Sequence, residues 1–260
     1  MNKTTITIPG VENYFVQEAF NVLRTNIQFN GPDVKVIALT SVEQNEGKTV
    51  LTLHLGRSLS ELGKRVLVID ADLRKSVMVG RNSDSSNVCG LSETISGMAD
   101  LKDAIYKTQY PNLHVLFSGK YPPNPVKLLN SSYFSELIEA VSDVYDYVII
   151  DTPPLGLVID AAVIGAHCDS ALLVIGSSHI PYKAAQEAVE QLKKAGCNIL
   201  GVVLNNAGSK SRETYYGRRG KKRYYRYYTP YGNTPNQDSA AAGDKKGGSK
   251  NSEDKKAEST

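Results

Sequence analysis

Cysteine is scarce in this sequence of 260 residues, and tryptophan is absent. The three cysteines, Cys89, Cys168 and Cys197, lie far apart, so they form neither a disulfide framework nor a Cys-x-x-Cys metal site. The four histidines also lack the spacing of metal ligands, and we interpret them as structural. These absences exclude a disulfide-stabilised secreted domain and favour a reduced, intracellular protein.

Long apolar runs are missing as well. No segment approaches the ~18–20 apolar residues that a membrane-spanning helix requires. The first ten residues, Met1–Gly10, are polar and lack the apolar core of a secretory signal. Hydrophobic residues make up 41% and charged residues 22%, as in ordinary globular proteins, so the sequence predicts a cytoplasmic protein.

Charge and tyrosine are distributed unevenly along the chain. Residues 1–208 hold 17 basic and 21 acidic residues, whereas residues 209–260 hold 13 basic and 6 acidic ones. Seven of the 15 tyrosines lie between positions 215 and 231. We therefore predict a mildly acidic globular domain over 1–208, followed by a disordered, basic and tyrosine-rich tail over 209–260.

Strand-like and helix-like patterns alternate within the predicted domain. Helices are expected at about 11–29, 48–62, 126–143 and 182–195, and strands at 34–40, 65–70, 113–117, 147–151, 170–176 and 199–205. Continuous runs of valine, isoleucine and leucine are typical of parallel strands that are covered on both faces. The predicted fold class is therefore α/β, a doubly wound and mainly parallel sheet whose ligands bind at the carboxyl ends of the strands.

The segment SVEQNEGKT (41–49) lies between a predicted strand and a predicted helix. Its Gly-Lys-Thr end matches a phosphate-binding loop, although Val42 stands where the first glycine of the consensus would be. The backbone N–H groups, the lysine and the hydroxyl of such a loop bind phosphates and Mg²⁺. The segment predicts a P-loop NTPase-type fold.

Two further motifs place carboxylates at the ends of strands. Asp70 and Asp72 follow the apolar residues of VLVIDADLR, and Asp151 follows those of YVIIDTPP. Carboxylates at this edge of a parallel sheet can hold Mg²⁺ or accept a proton from an attacking hydroxyl. Since both motifs follow the phosphate loop in order, the sequence predicts a site for ATP and Mg²⁺.

The combined motifs resemble the bacterial tyrosine kinase (BY-kinase) family, in particular the stand-alone cytoplasmic kinases of capsular or exopolysaccharide synthesis. The resemblance rests on EGKT, IDADLR, IIDTPP and the tyrosine cluster, together with GLSETISG (90–97) and SGKYPPNPVKLL (118–129). It covers roughly residues 12–231. ParA/MinD-type ATPases share the layout, but they carry a signature lysine where this sequence has Glu43.

The resemblance implies a role for each matching residue. Lys48 contacts the phosphates, Asp70 acts as base toward the incoming tyrosine hydroxyl, and Asp72 is its Mg²⁺-associated partner. Mg²⁺ is held by Thr49, Asp72 and Asp151. The residues expected to contact the nucleotide are Asn45, Glu46, Gly47, Lys48, Thr49, Val50 and Asn205.

The sequence departs from the family in two places. Family members carry Glu-x-x-Arg-x-x-Arg on the N-terminal helix, which builds a ring of subunits. Glu18 and Arg24 are therefore expected to serve a homo-oligomer, whose ring is weakened because Asn21 lacks the bidentate guanidinium of arginine. Gln44 and Asn45 stand where members often have Pro-Gly, so a less rigid phosphate loop is expected.

The tail segment YYGRRGKKRYYRYYTPY (215–231) is expected to be an autophosphorylation cluster, modified in trans by neighbouring copies. Each phosphotyrosine adds about −1.5 to −2 charges at neutral pH, so modifying several would cancel the positive charge of the tail. The expected acceptors are Tyr215, Tyr216, Tyr224, Tyr225, Tyr227, Tyr228 and Tyr231.

Partners and location follow from the same resemblance. It implies activation by a membrane adaptor of the polysaccharide co-polymerase type, reversal by a tyrosine phosphatase, and a peripheral location at the inner face of the cell membrane. No nucleic acid is expected as a partner. The alternative is a P-loop ATPase switch whose basic, aromatic tail binds single-stranded nucleic acid or anionic lipid.

Overall fold

A computed structural model describes residues 2–11, 13–78, 88–177 and 180–207 of the chain. Eight strands form one sheet within these residues. They are β1 (Asn2–Ile6), β2 (Val36–Ser41), β3 (Val66–Asp70), β4 (Ile105–Thr108), β5 (Leu113–Leu116), β6 (Tyr147–Asp151), β7 (Ser170–Gly176) and β8 (Ile199–Asn205).

The sheet has the strand order β1-β4-β5-β3-β6-β2-β7-β8. All neighbouring pairs are parallel except β4 and β5, which run antiparallel. In the register of the central strands, Asp70 lies opposite Asp151 and Leu39 also pairs with Asp151. The carboxyl ends of β2, β3 and β6 therefore meet at one edge of the sheet.

Helices connect the strands. They are α1 (Tyr14–Gln28), α2 (Lys48–Ser60), α3 (Leu91–Ile95), α4 (Leu101–Ala104), α5 (Pro125–Leu129), α6 (Ser132–Val144), α7 (Asp160–Gly165) and α8 (Tyr182–Lys194). Local sequence sets several of their starts, because the side chains of Asn13, Asn124 and Ser131 accept hydrogen bonds from the first turns of α1, α5 and α6.

Two apolar cores cover the two faces of the sheet, and alternate residues of each strand contribute to them. Leu67 and Ile69 of β3 pack into one core with α6, α7 and α8, whereas Val66 and Val68 pack into the other with α1 and α2. The helix α2 lies very close to the sheet, since a Cβ at Gly56 would come within 2.7 Å of Val68. This contact holds the phosphate-loop helix firmly over the central strands.

The predicted fold class is confirmed, and the differences are local. The short strands β1 and β4 were not expected, because neither shows a long apolar run. The single helix expected at 126–143 is two helices, divided at Asn130 and Ser131, where Ser131 caps the start of α6. None of the described helices combines the length and the apolar character that a transmembrane span requires. The predicted disordered tail, with its seven tyrosines, lies outside the described residues.

Candidate active site

The phosphate loop joins the end of β2 to the first turn of α2. Two of its residues have positive φ, Asn45 at 63° and Gly47 at 84°. The backbone angle favours glycine at position 47, and a Cβ there would lie 2.2 Å from Nδ2 of Asn205 and displace that side chain. The helix N-terminus that follows offers backbone N–H groups to an anion.

The buried side chain of Glu46 stabilises this loop. Its two oxygens accept hydrogen bonds of 2.7 Å from the backbone N–H groups of Glu43 and Gly176. One bond closes the loop on itself, and the other attaches it to the end of β7. The carboxylate therefore serves the loop conformation, and only the backbone of Glu46 is left to fulfil its expected contact with a nucleotide.

Asn205 reaches the same loop from the end of β8. Its Nδ2 donates to the carbonyl oxygen of Glu46 at 2.8 Å, and its Oδ1 accepts from the backbone N–H of Asn206 at 3.0 Å. The side chain that is expected to contact the nucleotide thus also fastens the phosphate loop to β8.

Lys48 is the first residue of α2 and is 9% exposed. Burial lowers the pKa of its ammonium group, and the charges of Asp151, Asp72 and Glu46 oppose this effect in that order. A cation surrounded by carboxylates at the end of the loop, where α2 begins, is placed to meet the outer phosphates of a nucleotide.

Thr49 and Asp151 connect the phosphate loop to the central strand β6. The Thr49 hydroxyl donates to Oδ2 of Asp151 at 2.5 Å. The other oxygen, Oδ1, is buried and has no hydrogen-bond partner among the described residues. Burial raises the pKa of Asp151 to about 6, against the lowering effects of the Thr49 bond and the Lys48 charge. Hydroxyl and carboxylate oxygens of this kind fit a Mg²⁺ ion.

Asp70 and Asp72 differ in their exposure. Asp72 lines the cleft, whereas Asp70 is buried and accepts hydrogen bonds from the hydroxyl of Ser76 and, at 3.2 Å, from the backbone N–H of Asp72. Burial, and next the charge of Asp151, raise the pKa of Asp70 well above its ordinary value. The structure therefore brings both aspartates to the site, with Asp70 behind Asp72.

A cleft of about 420 Å³ lies over these groups. The expected residues that line it are Asn45, Gly47, Lys48, Thr49, Val50, Asp72 and Asn205, while Glu46, Asp70 and Asp151 lie buried beneath. The residues that the sequence analysis missed are Gln44, Lys75, Val77, Pro154 and Asn206. Each of these lies in a recognised motif or within three residues of one or of a predicted strand end, and that proximity was the available signal.

Segments 90–97 and 118–129, which also carry the family resemblance, contact each other. Backbone bonds join Leu91 to Phe117 at 2.7 Å and Ser92 to Ser118 at 3.0 Å. The carboxylate of Glu93 accepts from the backbone N–H groups of Gly90 and Lys120. The second segment directly follows β5, the neighbour of β3 in the sheet.

The residues expected to serve oligomerisation make contacts within the chain. Glu18 accepts a hydrogen bond of 3.0 Å from the side chain of Asn21. The guanidinium of Arg24 donates to the carbonyl and hydroxyl oxygens of Ser58, on α2, at 3.0 and 3.2 Å. Arg24 thus fastens α1 to α2, and the role of these residues between subunits stays a prediction.

The fold and site together define a P-loop nucleotide-binding protein, and residues 34–199 match the family model described as an AAA domain. The chain is 45% identical over 212 residues to the tyrosine-protein kinase CpsD of Streptococcus agalactiae, covering 80% of this chain and 92% of the relative. The kinase domain of the Escherichia coli tyrosine kinase ETK superposes with a TM-score of 0.71 at 32% identity, covering 80% of this chain and 85% of that one.

The chain is also similar, to a lesser degree, to the structure of the septum site-determining protein MinD of Pyrococcus horikoshii in complex with Mg-ADP. It has a TM-score of 0.57 at 30% identity, covering 68% of this chain and 72% of that one. The kinases are more similar over more of the chain. The chain belongs to the bacterial tyrosine-protein kinase family, and the prediction of a P-loop protein-tyrosine kinase is confirmed.

Proposed function

We propose that this kinase transfers the γ-phosphoryl group of ATP, with Mg²⁺, to the tail tyrosines of neighbouring copies and thereby regulates capsular or exopolysaccharide synthesis or export. One observation carries the proposal: the phosphate loop, Lys48 and the carboxylate of Asp72 line a single cleft at the carboxyl edge of the sheet, with Asp151 directly beneath. Phosphoryl transfer depends mainly on positioning and charge neutralisation, and this arrangement supplies both.

Thr49, Asp72 and Asp151 would hold the Mg²⁺ ion, which neutralises charge on the phosphates when bound. The buried Oδ1 of Asp151, without a hydrogen-bond partner among the described residues, supports this assignment. Lys48 would contact the outer phosphates, and the N–H groups at the start of α2 would orient them. The amide of Asn205, beside the loop, would contact the base.

Asp70 is the proposed base toward the acceptor hydroxyl. Burial and the charge of Asp151 raise its pKa, which increases its affinity for a proton at neutral pH. The carboxylate oxygen that would receive this proton now accepts a hydrogen bond from the hydroxyl of Ser76. A tyrosine hydroxyl would take the place of Ser76, so the step requires the short segment after Asp72 to move.

The tail supports the choice of substrate through its charge. The acceptor tyrosines at 215–231 are interspersed with arginines and lysines, and the cleft that they would enter holds Asp72 above Asp70 and Asp151. Phosphorylation would reverse this attraction, since each phosphate adds about −1.5 to −2 charges. The proposed activator is a membrane adaptor of the polysaccharide co-polymerase type, which would place the kinase at the inner face of the membrane, and a tyrosine phosphatase would reset it.

Phosphosite mapping by mass spectrometry tests the proposal. Purified wild-type protein, Lys48→Ala and Lys107→Ala are incubated with Mg-ATP in separate reactions. Lys107→Ala is the control, because it removes an exposed lysine from β4. Phosphate on Tyr215 to Tyr231 in the wild type and Lys107→Ala, but not in Lys48→Ala, is the expected result. Mixing Lys48→Ala with active kinase should phosphorylate the inactive chain if transfer occurs in trans. If no chain is labelled, the assay is repeated with the cytoplasmic segment of an adaptor.

The second candidate is an ATPase switch, which the likeness to MinD favours. It predicts that phosphate is released to solution without phosphotyrosine, also when an adaptor segment is present. It further predicts salt-sensitive binding of oligonucleotides or anionic vesicles through the tail. Labelled tyrosines that are lost in Lys48→Ala would exclude it as the sole activity.

A further inference from the structure

Arg74 and Asp160 form a bidentate ion pair beside the cleft. Nε of Arg74 donates to Oδ2 of Asp160 at 2.8 Å, and Nη2 donates to Oδ1 at 3.1 Å. Asp160 is the first residue of α7 and is fully buried, while the Arg74 side chain is partly exposed. Two parallel bonds of this kind fix the orientation of both groups, which a single contact would not do.

The backbone of the same arginine contacts the cleft carboxylate. Oδ1 of Asp72 accepts from the backbone N–H of Arg74 at 3.2 Å and from that of Lys75 at 2.9 Å. Arg74 therefore touches Asp160 with its side chain and Asp72 with its main chain. The position of Asp72 in the cleft depends on a turn that is anchored through Arg74 to α7.

The pair also links the segments that follow β3 and β6. Asp72 follows β3, and Asp160 follows β6 by way of the segment that begins at Asp151. A buried carboxylate is costly unless it is paired, so Asp160 needs a cation with good geometry. Arg74 supplies this cation from the turn that follows β3.

We propose that Arg74 and Asp160 are a positioning pair, which holds the turn after β3 in place and thereby fixes the position of the Asp72 carboxylate in the cleft. This inference rests on the proposed function of the site, in which Asp72 helps to hold Mg²⁺. Neither residue of the pair lines the cleft, so neither is a catalytic residue. Lysine is not equivalent to Arg74, because an ammonium group cannot form the two fixed parallel bonds.

The test compares Arg74→Lys and Asp160→Asn with the same two changes at another pair. Arg65 and Asp146 form an exposed ion pair of 3.7 Å, just before β3 begins and thus at the opposite end of that strand from Asp70. Arg65→Lys and Asp146→Asn therefore control for loss of an arginine–aspartate contact as such. For each variant the measurements are kcat and KM of tyrosine phosphorylation, ADP affinity with and without Mg²⁺, and thermal unfolding.

The expected result is a fall in kcat of about 10- to 100-fold in both pair variants, since misplacement by ~1 Å can cost this much. The gain in ADP affinity on adding Mg²⁺ should shrink, while Mg²⁺-free ADP affinity stays at the wild-type value. The control variants should match the wild type in all three measurements. An equal loss of ADP affinity with and without Mg²⁺ would show a merely structural role and overturn the proposal, as would an unchanged kcat.

The binding measurement separates this inference from the proposed function. If the wild type labels no tyrosine, also when an adaptor segment is present, the proposed function fails. The Mg²⁺-dependent gain in ADP affinity then decides the pair alone: a smaller gain supports it, and an unchanged gain overturns it. If Asp160→Asn does not fold, Arg74→Lys decides, because it keeps the charge beside the buried carboxylate and removes only the bidentate geometry.

Discussion

The hydroxyl of Thr49 lies 2.5 Å from Oδ2 of Asp151 and joins the first turn of α2 to the end of β6. The second oxygen of Asp151 is buried without a hydrogen-bond partner among the described residues. Leaving a buried acceptor unpaired costs about 1–3 kcal/mol, and such groups in native proteins commonly have a functional explanation. A cation bound between these oxygens would remove the cost, which supports the Mg²⁺ site that we propose.

Asp151→Asn should therefore weaken the Mg²⁺-dependent part of nucleotide binding. The amide keeps the shape of the carboxylate but carries no charge, and we expect the affinity for Mg²⁺ in the presence of ADP to fall by about tenfold or more. Isothermal titration with ADP, with and without Mg²⁺, measures this. Asp169→Asn is the control, since the Asp169 carboxylate accepts from the backbone N–H groups of Lys35 and Val36, at the other end of β2. Equal Mg²⁺ dependence in both variants would contradict the assignment.

Gly47→Ala should abolish nucleotide binding. Alanine at this position would have to keep the left-handed backbone of Gly47, which costs a residue with a Cβ about 1–2 kcal/mol. The new Cβ would also lie 2.2 Å from Nδ2 of Asn205. Gly63→Ala is the matched control, because Gly63 also has positive φ, at 78°, but has nothing within 4 Å of its Cβ position. We expect Gly63→Ala to lower the unfolding temperature while ADP binding persists. Binding lost in both variants would mean that general destabilisation by a strained backbone, and not the contact with Asn205, explains the loss.

The sequence was sufficient to predict the edge of the sheet at which the site lies. Apolar strands that end in Asp70 and Asp151, and a Gly-Lys-Thr segment that opens a helix, are each readable locally, and parallel strands bring their ends together. The confirmed α/β fold follows from the same periodicity.

Contacts between distant segments could not be predicted in this way. The bonds of Glu46 to Gly176 and of Asn205 to Glu46 span more than a hundred residues, and no local pattern encodes such a pairing. The burial of Asp160 could not be predicted either, because the short helix that begins at this residue was not expected from the sequence. The antiparallel strand β4 has four residues, too few to establish a period.

His114→Phe should reduce the loss of stability on acidification. The half-buried ring stacks edge-on to Tyr145, and its Nδ1 has no hydrogen-bond partner among the described residues. Burial, and then the charge of Lys107, lower the pKa of His114 in the folded state. The unfolded chain therefore binds the proton first, so this histidine costs stability as pH falls below about 6.5. Phenylalanine keeps the ring contact and does not titrate.

Urea unfolding of the wild type and His114→Phe at pH 8 and pH 5.5 measures this difference. All other titrating groups are shared, so their effects cancel when the two proteins are compared at each pH. The variant should gain stability relative to the wild type at the lower pH. An equal difference between the two proteins at both pH values would show that His114 has an ordinary pKa.

Glu46→Gln should loosen the phosphate loop without removing any group from the cleft. The carboxylate accepts from the N–H groups of both Glu43 and Gly176, whereas the glutamine amide has one acceptor oxygen and must direct its NH₂ group at the other N–H. We expect a loss of about 1–3 kcal/mol in the free energy of unfolding, together with weaker ADP binding. Removing the Glu46 charge should also lower the pKa of Lys48 further, since that charge now raises it. Glu43→Gln is the control, because Glu43 contributes only its backbone N–H to the bond. If both variants bind ADP equally well, the loop holds its shape without Glu46, and the attachment to β7 is unnecessary for nucleotide binding.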